Sequence, residues 1–252
     1  MFSNLFVTEI TYDKKSVKNN DIYPFNLEAI KNLDTIKLNK NVTFFIGENG
    51  IGKSTFIEAI AINLKLNPEG GTQNFSFKTK DTHSDLSDYI YVSGSGNLPE
   101  TKFFLRAESF YNVASEIIRV SEEGGQGPIY EYYGGNLHEC SHGESFIKLV
   151  QNRFSDNGLY ILDEPEAALS PSRQMALLCL IDDLVKRGSQ FIISTHSPIL
   201  LSYNNAEIYD LNDDFNKIEY KETEIYKTYK MFLDNPDRML ELLLDNDNNS
   251  NL

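Results

Sequence analysis

Residues 42–55 read VTFFIGENGIGKST, an apolar run followed by a loop punctuated by glycines. The spacing Gly47, four residues, Gly52-Lys53-Ser54 fits G-x-x-x-x-G-K-[ST] in full, and a helix-like run, TFIEAIAINL, follows it. Strand, loop and helix in that order are the setting the pattern requires. Glycines let consecutive backbone N–H groups turn inward, and a helix opening at Lys53 adds the positive end of its dipole, so the expected guest is a phosphate. On this reading Lys53 reaches the β- and γ-phosphates of a nucleotide, and the Ser54 hydroxyl is a ligand of Mg²⁺, a hard cation that prefers oxygen. The competing reading is a glycine-rich turn that binds nothing. The flanking strand and helix favour the nucleotide.

Composition bounds the rest. The chain has 252 residues, 40% of them hydrophobic, which is enough to bury one sizeable core, and no proline- or glycine-rich linker divides it. One domain over residues 1–244 is expected, with 245–252 (DNDNNSNL) as an acidic, disordered tail too poor in apolar surface to offset its ordering entropy. No apolar run approaches the roughly eighteen residues of a membrane span, and the opening MFSNLFVTEITY lacks the basic region of a signal peptide. The expectation is a soluble, cytoplasmic chain. Cys140 and Cys179 show neither metal-ligand spacing nor a disulfide framework, and both are expected to be structural. The net charge of -14 argues against nucleic acid binding by bulk electrostatics, which needs clustered Lys and Arg. A local basic groove formed on dimerisation is the remaining route.

Along the chain, Leu5 to Tyr12 alternates like a strand, and YPFNLEAIKNL reads as an extended lead-in and a short helical turn. Short strands are expected between Phe75 and Val92, and FFLRAESFYNVASEIIRV reads as a strand start followed by a helix. EEGGQGPIYEYYGGN is glycine-rich and predicts a mobile loop. HGESFIKLVQNRF predicts a helix with Phe146, Leu149 and Val150 on one face, continued by Phe154. GLYILDEP and QFIIST read as buried strands on either side of SPSRQMALLCLIDDLVKRG, a periodic helix stopped by Gly188. The last helical stretch, TEIYKTYKMFLDNPDRMLELLL, breaks at Pro236. Apolar strands alternating with helices predict an α/β fold with a central, largely parallel sheet flanked by helices, preceded by a β-rich N-terminal subregion.

A phosphate loop by itself is shared by many enzymes, so the residues downstream decide. LYILDEPEAALS, Leu159 to Ser170, is an apolar strand ending in two carboxylates, which puts them at the strand edge where α/β folds bind ligands. Asp163 would hold Mg²⁺ through its water shell, and Glu164 would orient or deprotonate the attacking water. The bland reading of the pair is a solvated strand end before a turn at Pro165.

In this order the motifs resemble the ATP-binding cassette (ABC) ATPase superfamily, in the branch that also holds the structural-maintenance, RecF-like and overcoming-lysogenization-defect ATPases. The resemblance runs from about Leu5 to Leu211. GENGIGKST matches the Walker A motif, implying ATP contacts from Gly47, Asn49, Gly50, Gly52, Lys53, Ser54 and Thr55. YILDEP matches Walker B with its catalytic glutamate, EAALS the D-loop, and STHSP the switch histidine, His196, which is implied to contact the γ-phosphate. CSHGES, Cys140 to Ser145, stands where the signature motif stands, and the resemblance implies that Ser141 and Gly143 touch ATP held by another subunit. ATP and Mg²⁺ are thus the implied cofactors, in an ATP-dependent head-to-tail homodimer. For Ser141 and Gly143 the alternative is an ordinary helix cap.

The chain departs from the pattern at His142 and Glu144, which replace a glycine and a glutamine of the signature, and at Ser170, where the D-loop commonly ends in aspartate. The Q-loop glutamine has no clear match. Glu108 in LRAESF stands nearest, either as a Mg²⁺ ligand or as a partner of Arg106. An adenine-stacking aromatic would be Tyr23 or Phe25, though core packing is the expected role of both.

Three uses of such a cassette follow. The first is a standalone ATPase in DNA maintenance, repair or anti-phage defence, with a second chain supplying any nuclease or effector function. No heptad run lies between Walker A and the signature, and no nuclease-like domain follows STHSP. The second is the ATP-binding subunit of a transporter. The third is a regulatory module in which the ATP-bound dimer is the signal and turnover is slow.

Overall fold

Val42 to Ile46 is buried at every residue because both faces of its sheet are covered. The computed structural model describes residues 5–68, 70–71, 84–110 and 141–244. Near the N-terminus, β1 (Glu9–Tyr12) pairs antiparallel with β2 (Thr35–Lys37) and with β4 (Ile90–Ser93). The larger sheet holds β3 (Val42–Ile46), β5 (Thr101–Arg106), β6 (Gly158–Asp163), β7 (Gln190–Ser194), β8 (Ala206–Asp210) and β9 (Asn216–Lys217), in the order β5-β6-β7-β3-β8-β9. Every neighbouring pair in it is parallel except β8 with β9.

Side chains alternate between the two faces with the period of a strand. Phe44 and Ile46 of β3, Tyr160 and Leu162 of β6 and Ile193 of β7 enter one core with helices α3 (His142–Arg153) and α4 (Pro171–Lys186). Phe45, Leu159, Ile161 and Ile192 enter the other, shared with α2 (Lys53–Asn63) and the small sheet. α2 buries Phe56, Ile57, Ala59, Ile60 and Ala61, so it is a central helix rather than an amphipathic one. Phe56, Phe45 and Phe215 meet edge to face at 5.1 to 6.3 Å between ring centres.

Most predicted elements are present, including the helical turn α1 (Glu28–Asn32) and the buried face Phe146, Leu149, Val150 of α3, continued by the buried Phe154 just beyond its end. Gly188 ends α4 with φ +87°, and the N–H groups of Gly188 and Ser189 reach back to Val185 and Leu184 carbonyls, a left-handed stop that favours glycine. Beyond the short helix α5 (Pro198–Leu201), helices α6 (Glu224–Asp234) and α7 (Pro236–Leu244) meet at the predicted break. Their Tyr229, Met231, Leu233, Leu242, Leu243 and Leu244 are exposed. Among the described residues no helix is long and apolar enough to cross a membrane.

Three expectations change. The first strand starts at Glu9 rather than Leu5, because the N–H groups of Phe6 and Val7 donate to the Gln190 side-chain oxygen at 2.8 and 2.9 Å instead of to a strand. Cys179 is an exposed thiol on α4 and fills no core position. Tyr23 is 61% exposed, so of the two aromatics only Phe25 serves packing, against Tyr89. The expectations of a mobile loop over EEGGQGPIYEYYGGN, of a helix running on from FFLRAESF, of strands before Ser84, of a structural Cys140 and of a disordered acidic tail fall on residues outside the described ones.

Candidate active site

Parallel register brings the motifs to one edge. Arg106 lies beside Asp163, Asp163 beside Ser194, and Ser194 beside Phe45, so the ends of β5, β6, β7 and β3 open together at the phosphate loop. Gly50 and Gly52 of that loop have φ of +82° and +115°, which L side chains rarely adopt, and Gly52 is the residue from which α2 starts. A cleft of about 470 Å³ is lined by Asn49, Gly50, Gly52, Lys53, Ser54 and Thr55, together with Tyr23, Leu27, Glu108 and Glu164. Gly47 and His196 instead line an adjoining cleft of about 300 Å³ whose far wall includes Glu224 and Tyr229 of α6.

Lys53 is nearly buried. Its Nζ donates to the carbonyls of Gly47 and Glu48, both at 2.9 Å, and lies 3.8 Å from Glu164 Oε1. Burial pushes the ammonium below its ordinary value, against the pull of Glu164, Asp163 and Glu166. Glu164 has φ +49° and ψ +52°, a left-handed conformation unusual for this residue type, which turns its side chain out of the strand path beside Lys53 and His196. The His196 imidazole, 3.6 Å away at Nε2, and then Lys53 hold the Glu164 carboxyl below its usual range, despite partial burial. His196 Nε2 is buried without a hydrogen-bond partner among the described residues, an orphan that a ligand atom would satisfy.

Asp163 is 3% exposed. Its Oδ1 accepts from Ser194 Oγ at 2.5 Å and Ser54 Oγ at 3.2 Å, and its Oδ2 accepts from Arg106 Nε at 2.9 Å. Two hard oxygen donors, Ser54 and Asp163, therefore sit together at the cleft floor, a set that suits Mg²⁺, which takes few protein ligands and completes its shell with water and phosphate. Glu108 lines the cleft, while Arg106 pairs with Asp163 and with Glu58 at 3.1 Å.

The signature residues stand elsewhere. Neither Ser141 nor Gly143 lines either cleft. The Ser141 hydroxyl makes no capping hydrogen bond, and the Ser141 carbonyl accepts from Glu144 and Ser145 N–H instead. Gly143 has an intrachain reason to be glycine: a Cβ there would stand 2.8 Å from the Ala168 carbonyl oxygen.

Four residues make contacts that the sequence did not give them. Ser194 secures Asp163, Glu166 Oε1 accepts the His196 N–H at 2.5 Å, Tyr23 bonds Thr55 across the cleft mouth at 2.9 Å, and Arg106 joins the Asp163 network. Of the four, Glu166 alone had no place of its own in the sequence reading.

Residues 141–201 match the family described as an AAA ATPase domain. The chain is similar to the arginine transport ATP-binding protein ArtM of Bacillus subtilis (strain 168), 24% identical over 184 residues that cover 67% of this chain and 75% of the relative. It is also similar to the phosphate import ATP-binding protein PstB of Staphylococcus saprophyticus, 22% identical over 245 residues that cover 90% of this chain and 82% of the relative. Among solved structures, cbiO1 from Clostridium perfringens, described as part of the ABC transporter complex cbiONQ, aligns at 18% identity with a TM-score of 0.47, covering 97% of this chain and 100% of that one. With the phosphate loop and the carboxylates in place, the protein is an ATP-binding P-loop enzyme, an ATP hydrolase. The likeness to these ATP-binding proteins supports the ABC type.

Proposed function

We propose that this chain hydrolyses Mg-ATP between two copies of itself arranged head to tail, and that closing and opening of the pair acts on a partner in DNA maintenance or defence against invading DNA. The observation that supports the catalytic part is the convergence of Lys53, Ser54, Asp163, Glu164 and His196 at one sheet edge. Lys53 would leave the Gly47 and Glu48 carbonyls for the β- and γ-phosphates. Glu164 would accept a proton from the water that attacks the γ-phosphorus as the bond to the ADP oxygen breaks, and His196 would hold a γ-phosphate oxygen. Mg²⁺, held by Ser54 and Asp163 with Glu108 nearby, would neutralise charge on the phosphates and keep them in line.

The dimer reading is supported by Ser141, whose hydroxyl is exposed at the start of α3 and spends no hydrogen bond on its own helix. It is tested by the solution mass of Glu164→Gln with and without Mg-ATP: a monomer that doubles in mass only with ATP supports it, and a constant mass overturns it. The DNA part rests on the wording of STHSP and DEPEAALS, and it is tested by ATP turnover with and without duplex DNA at low salt. Stimulation that fades steeply as salt rises is expected; no effect of DNA would favour a second reading, the ATP-binding subunit of a transporter. That second reading is favoured by the names of the relatives.

Two further outcomes follow from the cleft. Tyr23 offers an exposed ring at its mouth, so Tyr23→Ala is expected to weaken ATP binding by roughly 5- to 150-fold, in line with ~1–3 kcal/mol for stacking on a base. Equal losses for ATP and inorganic triphosphate would show that the ring does not meet the base. Lys53 binds phosphate only when protonated, and its pKa is lowered by burial. ATP affinity should therefore decline as pH rises, beginning below the ordinary 10.5; nucleotide titrations across pH check this.

A further inference from the structure

Arg106 is committed on three sides. Its Nε donates to Asp163 Oδ2 at 2.9 Å, its Nη1 meets Glu58 Oε2 at 3.1 Å, and its Nη2 donates to the Ser54 carbonyl at 3.4 Å. The guanidinium lies 5.8 Å from the centre of the Phe104 ring, two residues back on the same face of β5. Arg106, Glu58 and Asp163 side chains are 18, 14 and 3% exposed, so the three charges interact with little screening by water. Ser54 and Glu58 are four residues apart on α2 and share a face, so one arginine ties the helix after the phosphate loop to the end of β6.

The charge count gives this arrangement its consequence. Asp163 and Glu58 carry two negative charges, and Arg106 cancels one of them. Without it, two largely buried carboxylates would face each other, and such a pair attracts a divalent cation or a proton. We propose that Arg106 is the resident counter-cation of this pair, so that a metal ion enters the site together with the nucleotide and not ahead of it. Arg106 takes Asp163 Oδ2 and leaves Oδ1 to the hydroxyls of Ser54 and Ser194, the side assigned to the metal. The triphosphate supplies the extra negative charge and oxygen ligands that a metal ion needs to be held beside a fixed arginine. Arg106 is a positioning residue here and touches no reacting atom.

This inference rests on the assignment of Ser54 and Asp163 to the metal, and the test separates the two. Mn²⁺ binding, followed by electron paramagnetic resonance of the free ion, is measured on the full chain with and without a non-hydrolysable ATP analogue. Wild-type protein should take up Mn²⁺ only with the analogue, and Asp163→Asn should weaken that uptake. No effect of Asp163→Asn would overturn the metal assignment itself. Arg106→Gln should bind Mn²⁺ without nucleotide about tenfold or more tighter than wild type, and Arg106→Gln with Glu58→Gln, which restores the charge count, should lose the gain. Should Arg106→Gln not fold, Arg106→Lys, which keeps one charge but not the fork that spans both carboxylates, should show a smaller gain of the same sign. Equal nucleotide-free Mn²⁺ affinity in wild type and the Arg106 variants would overturn the role of Arg106 while leaving the metal assignment standing.

Discussion

Glu164→Gln is expected to bind ATP as the wild type does and to hydrolyse it about 10²- to 10⁴-fold more slowly, the range for removal of a positioned general base. The expectation comes from the placement of the carboxylate. Its backbone adopts φ +49°, and the side chain stands 3.6 Å from His196 Nε2 and 3.8 Å from Lys53 Nζ, at the wall of the nucleotide cleft. Its pKa is depressed by His196 and Lys53, so it is ionised, and able to accept a proton, across the neutral range. Glutamine keeps the shape and one acceptor oxygen but cannot take the proton, so binding and chemistry should separate. Single-turnover hydrolysis together with a nucleotide affinity measurement checks this. Turnover at the wild-type rate would remove Glu164 from the mechanism.

The second large effect is expected from Lys53→Ala, which should abolish measurable ATP binding. Charge-assisted hydrogen bonds are worth roughly 1.5–3 kcal/mol each, so losing contacts to two phosphates costs about 100-fold or more in affinity. The substitution also removes the cation facing Glu164, Asp163 and Glu166, and leaves the phosphates to meet those carboxylates directly. The same change strips the Gly47 and Glu48 carbonyls of their donor, so the thermal transition should be recorded beside the nucleotide titration. A folded variant with unchanged affinity would contradict the assignment of the loop.

The two experiments report on different parts of the site. In the proposed mechanism Lys53 answers for the ground-state grip on the triphosphate, and Glu164 for the step that follows. A protein that loses binding in the first and only turnover in the second has the division of labour that the cleft implies.

Periodicity and spacing determined a good deal on their own. The loop Gly47 to Ser54 names its guest because few backbones other than a glycine-spaced turn before a helix can point consecutive N–H groups at one anion. Runs such as VTFFI and LYILD carry no polar residue beyond Thr43 and the terminal Asp163, and so belong to strands covered on both faces. The residues that carry the Walker A, Walker B and switch-histidine resemblance stand out because each motif sits next to a strand end, where local sequence and local structure coincide. What only the tertiary structure decided are the relations between strands. Register alone brings Arg106 beside Asp163 and Asp163 beside Ser194, although 57 residues separate the first pair and 31 the second. Tyr23 and Thr55 are likewise joined over 32 residues, through the packing of the N-terminal segment on α2. Such contacts arise from long-range pairing and leave no periodic mark in the chain, which is why Arg106 read as a partner for Glu108 two residues away until the fold placed it against Asp163 and Glu58.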